Sequence, residues 1–451
     1  FKALEDYEDG NGNGHNTAVG SKSQLNASTG EFNTSLGSLS MGVGVTTGDY
    51  NVAIGYRAGE DITSATTTTL VGTFAGLNIT SGANNTAVGY EALKTENAHG
   101  SNTAIGTQTL SLLDAGTDAN NVAVGHQAGR VMTTGTLNTL VGSLAGDSLT
   151  TGARNVAVGY NALSTEDAHG RNVALGYQAL TTQNAGADAY NVGVGFNAGQ
   201  NITTGTLNTI VGGLAGDALT EGNHNTALGY GALSSETLGD RNVAVGSNAL
   251  NAQNNTSDVD AYNVAVGYEA GKSVSTGTAN TLIGGLTGDA LTTGGQNVAI
   301  GYAALTNEDG HGRNVAVGFE TLNQQNAGAD AYNTAIGYQA GYAVTTGVQN
   351  TLIGGLAGDA ITEGQRNVAI GYQALNSEDA HGRSVAVGYT SLFSQNAGTD
   401  SYNTAVGYAS GINVTTGVKN TLIGGNAGDA LTIGNNNIAI GHKALSTSVD
   451  G

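Results

Sequence analysis

The sequence predicts an all-β fold: a parallel β-solenoid (β-roll) of about 25 coils with about 17 residues per coil. Three observations predict it. A phrase, Asn-Thr/Val-Ala-Val/Ile-Gly, recurs in 25 variants from Asn16-Thr17-Ala18-Val19-Gly20 to Asn437-Ile438-Ala439-Ile440-Gly441. Its closing glycines are usually 17 residues apart, with an occasional 18, 19 or 21. The coils also fall into a four-coil superrepeat of 70 residues. Self-similarity at a fixed period marks a stack of units that bury their apolar faces on their neighbours.

The strand comes first in each coil. In Asn155-Val156-Ala157-Val158-Gly159, the two valines point to one face and Ala157 to the other. The position before the closing glycine is Val, Ile or Leu in all 25 copies, which assigns that face to the core. The opposite position is mostly Ala but becomes Leu or Ile in every fourth coil, at Leu70, Leu140, Ile210, Leu282, Leu352 and Leu422. Apolar residues on both faces imply burial on both sides. The coil's own interior supplies one side, and another chain is the simplest source of the second.

A second segment follows the glycine, either aromatic-x-Ala-Leu or x-x-Ala-Gly, and then a turn rich in Thr, Gly, Asn and Asp. Sharp corners favour Gly, which takes positive φ cheaply. The coil has room for two short strands and two corners. Helix is disfavoured, since no 3.6-residue stripe persists and Gly interrupts every few residues. At ~4.8 Å per parallel strand, the stack would be a rod roughly 120 Å long. The expected organisation is a leader or cap over residues 1–14, the repeat domain over 15–444 and a tail over 445–451.

Composition narrows the function. The 73 glycines lack a Gly-X-Y triplet, which excludes collagen. The regular β-branched strand argues against disorder. Fourteen Lys+Arg against 35 Asp+Glu give a net charge of −21, a surface that repels nucleic acid and anionic lipid. No apolar run has the length of a membrane span, so no membrane insertion is expected, and no signal peptide is visible. The chain begins at Phe1 rather than Met, as a processed or excised piece would. A Cys-free, acidic, Thr/Asn/Gly-rich repeat suits an extracellular, cell-surface or virion location.

The repeated Asn-x-Ala-Val/Ile-Gly-Tyr-x-Ala, spaced by Gly, Asn and Thr, resembles the head repeats of YadA-like trimeric autotransporter adhesins. Similar repeats occur in phage fibre proteins. The resemblance covers roughly Asn16 to Ala444. It implies a left-handed parallel β-roll, three chains side by side, displayed outward and used for attachment. The coil here is longer than the usual adhesin repeat, and the sequence carries no heptad stalk and no C-terminal membrane anchor.

Four sets of residues are candidates for sites. The opening asparagines (Asn85, Asn121, Asn155, Asn172, Asn191, Asn225, Asn263, Asn297, Asn333, Asn367 and Asn403) stack coil on coil, which favours a structural ladder bonded to backbone over a glycan-reading row. The tyrosines after the glycine, including Tyr160, Tyr177, Tyr230, Tyr302, Tyr372 and Tyr389, could form a binding row or pack on one another. His99, His169, His311 and His381 are at nearest about 19 Å apart, too far to share a metal within one chain, and read as solvated turns. Asp188, Asp260, Asp330 and Asp400 are weak calcium candidates, with one or two carboxylates per turn. No other cofactor is implied.

Catalysis has no unique place in this chain. A glycosidase or lyase needs two carboxylates at one location, whereas every acid here belongs to a repeated turn. No nucleophile elbow, phosphate loop or zinc spacing appears. The leading expectation is a structural fibre with an attachment role, acting by avidity on a host-surface glycan or matrix protein. Self-association is expected as a homotrimer. The alternative is a head-to-tail polymer, in which the charged leader Phe1 to Gly10 docks on a neighbour's open end beyond Leu445 to Gly451. A third expectation is an ice-binding rod. It ranks last because the column after the opening Asn mixes 13 Thr with 11 Val and one Ile, and because that column is assigned to the core.

Overall fold

The computed structural model describes residues 3–4 and 14–447. Most of the expected leader and residues 448–451 of the tail lie outside the described residues. The chain divides into two compact units, Phe1–His224 and Asn225–Gly451. The first holds strands β1 (Thr17–Val19) to β12 (Thr209–Val211), and the second β13 (Thr226–Leu228) to β25 (Ile438–Ile440). Each unit is a parallel β-solenoid with one three-residue strand per coil, and no helix occurs among the described residues.

Stacking is in register. In the first unit β9 (Val156–Val158) pairs with β10 (Val173–Leu175), setting Val156 on Val173, Ala157 on Ala174 and Val158 on Leu175. In the second, β17 (Val298–Ile300) sets Val298 on Val315, Ala299 on Ala316 and Ile300 on Val317. The closing glycine permits this contact. At Gly159 φ is +139°, and a Cβ added there would lie 2.1 Å from the Gly176 carbonyl oxygen of the next coil. No side chain fits at that position.

The structure reverses the expected assignment of strand faces. The central residue points inward: Ala157, Ala174, Ala299 and Leu140 are fully buried. The flanking positions point out, leaving Val156, Leu175, Leu228 and Ile336 exposed and most of their counterparts half-buried. The physical reason is size. A small coil closes around Ala and one Leu, and has no room for a full rank of Val and Ile.

The Leu that returns in every fourth coil therefore marks no second surface. It fills the solenoid interior where the facing corner carries glycine. A Cβ on Gly146 would lie 2.7 Å from Leu149 Cδ1 and 3.0 Å from Leu140 Cδ2. Many coils with Ala at the strand centre carry Leu at that corner instead, as Ala157 does with Leu163, both fully buried. The coil before a central Leu, such as Ala123 with Gly129, keeps glycine there and is filled by the neighbouring leucines. Interior volume is conserved by exchanging which wall supplies the large side chain.

The expected second strand is also absent. The segment after the glycine turns through left-handed residues, Asn161 at φ 53° and Leu163 at φ 52°. Its backbone still bonds between coils, through Asn161 N–H to Ser143 O at 3.1 Å and Leu163 N–H to Ala179 O at 3.0 Å. Leucine rarely takes this conformation, because its Cβ crowds the following carbonyl. Complete burial of the Leu163 side chain offsets that cost.

Candidate binding surfaces

The opening asparagines lie inside. All eleven, from Asn85 to Asn403, are buried. Asn172 donates its backbone N–H to Asn155 Oδ1 at 3.0 Å, and Asn155 donates Nδ2 to His169 O at 3.3 Å. In the second unit Asn333 Oδ1 accepts Asn350 N–H at 2.8 Å, while its Nδ2 reaches Gly347 O at 2.8 Å and Gln325 Oε1 at 2.6 Å. These amides satisfy backbone groups that have no β-ladder partner at the corner. They cannot meet a ligand from solvent.

What each unit does present is the outward strand face. Its two ranks are Thr or Val at the first position and Val, Ile or Leu at the third. An apolar rank this regular is unusual on an isolated chain, where large contiguous patches mark contact sites. Two residues beyond the third position comes the aromatic row. Tyr160, Tyr177 and Phe196 stack on consecutive coils at 5.5 and 5.3 Å between ring centroids. Tyr302, Phe319 and Tyr338 repeat this at 5.5 and 5.6 Å, and Tyr372, Tyr389 and Tyr408 at 5.6 and 5.3 Å. All nine rings stay roughly half exposed. The row is broken into triplets because Gly213, Ser247, Gly285 and Gly355 occupy intervening coils. Tyr230, one coil before Ser247, has no ring-stacking partner among the described residues of its unit and is 60% exposed.

The calcium candidates have another partner. Asp188 Oδ2 sits 2.9 Å from Arg171 Nη1, and its Oδ1 accepts Gly170 N–H at 3.1 Å. Asp330 and Asp400 pair with Arg313 and Arg383 at 2.5 and 2.6 Å, and Asp260 pairs with Arg241. Each guanidinium also covers a tyrosine, Tyr190, Tyr262, Tyr332 or Tyr402, at 5.2 to 5.7 Å from the ring centroid. A cation already pairs with each carboxylate. This arrangement suits a coil-to-coil clamp better than calcium, which collects several oxygens. Arginine two residues before the strand, answered by Asp-x-Tyr in the next coil, was the sequence signal for it.

The histidine turns are not simply solvated. Each is closed by a buried glutamate three residues earlier. Glu166 Oε1 accepts His169 N–H at 3.2 Å, and Glu96, Glu308 and Glu378 accept from His99, His311 and His381 at 3.3 Å. All four glutamates are fully buried. Burial pushes Glu96, Glu308 and Glu378 up to about 7 and raises Glu166, while the backbone N–H of the histidine opposes the shift. The Glu-x-x-His spacing was visible in the sequence, but the inward aim of the glutamate was not.

Comparison with protein-family models and with curated proteins gave no match. No helix among the described residues is long and apolar enough to cross a membrane. Fold and surface together define a β-solenoid repeat protein.

Proposed function

We propose that this chain is a structural fibre component, displayed outside a cell or on a virion, that attaches by many weak contacts and has no catalytic role. The observation that carries the reading is the outward apolar strand face beside recurring aromatic triplets. A face of Val and Ile invites a second copy of the chain, and a homotrimer like that of the adhesin heads would cover it. The triplets offer flat, half-exposed rings of the kind that stack on sugars or anchor a matrix protein. Single contacts of this sort are weak, and repetition along the solenoid multiplies them.

Retention of the protein on immobilised glycans and matrix proteins tests this reading. Stepwise alanine replacement of Tyr177, Phe319 and Tyr389 should lower retention progressively. Unchanged retention after all three replacements would contradict it.

One observation favours a second reading. The column containing Thr139, Thr209 and Thr281 faces outward rather than into the core, which removes one objection to ice binding. Flat, faceted ice crystals grown in the presence of the protein would support it, and rounded crystals would dismiss it.

A further inference from the structure

Among the described residues, four Glu–His turns each leave two buried polar atoms without a partner. They are the Oε2 of Glu96, Glu166, Glu308 and Glu378, and the Nδ1 of His99, His169, His311 and His381. Each glutamate is fully buried. A third group stands with each pair: Asp114, Asp167, Asp309 or Asp379, an exposed carboxylate with an oxygen within 4.8 Å of a carboxylate oxygen of the glutamate and a ring nitrogen of the histidine. A buried acceptor left unpaired is unfavourable, and the described residues repeat the loss four times.

A fifth turn shows how the same fold avoids that loss. At Glu236 the histidine position is Gly239, and the next coil carries Asn255 where the others have Ala185, Ala327 or Ala397. Here Oε1 accepts N–H groups of Thr237, Leu238, Gly239 and Asn255 at 2.8 to 3.2 Å. Oε2 accepts Gln253 Nε2 and Asn255 Nδ2, both at 2.9 Å. The corresponding Gln183, Gln325 and Gln395 instead donate to Thr203, Thr345 and Thr415 carbonyls at 3.0 to 3.2 Å. Where histidine is lost, an asparagine satisfies the glutamate. Where histidine is present, Oε2 and Nδ1 are orphaned together, so they call for one shared partner.

We propose that each Glu–His–Asp turn is a binding site for a divalent transition cation of the zinc class, four per chain. Imidazole nitrogen with carboxylate oxygen is a donor set that zinc accepts and that calcium and magnesium avoid. Zinc holds such atoms at ~2.0–2.2 Å, which in a tetrahedral site places them about 3.3–3.6 Å from one another. The turn therefore closes by at most about 1.5 Å to engage the ion. The glutamate is fixed from within the solenoid by its bond from the histidine N–H, so the site is largely preformed. The exposed aspartate stands at the rim, and the outer coordination positions are open to water or to a group from another molecule.

The test is a titration of the metal-free full-length protein with Zn2+ by calorimetry, repeated with Co2+ to read tetrahedral coordination in the visible spectrum. Four sites are expected among the described residues, three alike and one, at Glu96 and His99, whose aspartate Asp114 comes from the following coil. His169→Gln should remove one, and the quadruple replacement of His99, His169, His311 and His381 should weaken binding at least tenfold. Replacing His126, His224 and His442 should change nothing. The double variant His169→Gly with Ala185→Asn rebuilds the Glu236 turn and should fold normally with one site fewer. Equal zinc uptake by wild type and the quadruple variant would overturn the proposal. So would an absence of zinc uptake with a pH-dependent histidine signal, which would show that the pair shares only a proton.

Discussion

Leu140 fills the space that a side chain at Gly129 would claim: a Cβ added to Gly129 would lie 2.8 Å from Leu140 Cδ1. Leu140 also approaches the Gly146 corner of its own coil, and this exchange of volume holds the cross-section constant while the sequence varies. Leu140→Ala is expected to destabilise the first unit by about 2–5 kcal/mol in urea unfolding. Gly146→Ala should cost somewhat less in the Leu140→Ala background than in wild type, because the Leu140 methyls at 3.0 and 3.4 Å have gone while the Leu149 Cδ1 contact at 2.7 Å remains. Equal costs in both backgrounds would show that the two positions do not share space.

The asparagine ladder should be cooperative between coils. Asn155→Ala leaves the Asn172 N–H without an acceptor and the His169 carbonyl without a donor. The expected loss is about 1–3 kcal/mol. Amide hydrogen exchange should localise it, with faster exchange at Asn172 and its neighbours and little change several coils away. Uniformly faster exchange through the unit would contradict a local role.

The turn aspartates carry a pH signature. Burial raises Asp217 and Asp289 above the ordinary carboxylate value, and Oδ1 of each is buried without a partner. The unfolded chain titrates near ~3.9. The fold thus favours the protonated form, a stabilisation complete below ~3.9 and lost as pH rises through the higher folded value. Asp217→Asn and Asp289→Asn should be more stable than wild type at neutral pH and converge with it in acid. Thermal midpoints at pH 3.5 and pH 7 read this directly.

Ring stacking supplies part of the coil-to-coil adhesion. Tyr177 stacks on both Tyr160 and Phe196, so Tyr177→Ala should cost about 0.5–1.5 kcal/mol. Tyr230→Ala, lacking an aromatic neighbour, should cost less. A reversed order in urea midpoints would remove the stacks from the stability account.

The period, the in-register parallel stack and the stacking of the asparagines were legible because they depend on repetition alone, whereas the burial of the asparagines was not. Which way a strand faces was not. Val-Ala-Val is apolar on both sides, and hydrophobicity favoured the larger residues for the core. The cross-section decided otherwise, since the interior admits Ala157 and Leu163 but not Val156 and Val158. The left-handed Leu163 was hidden for a related reason: its backbone preference opposes the conformation, and only the closed coil shows the burial that offsets it. The Glu166–His169 contact needed the direction of a side chain, which spacing does not give.

The proposed fibre depends on the outward Val and Ile rank being a contact surface between copies. Native mass measurement at micromolar concentration tests it most directly, on wild type and on a variant with Val124, Val141 and Val158 changed to Lys. The expected result is a three-chain mass for wild type and weakened association for the variant. A single-chain mass for wild type that persists as concentration rises would contradict it.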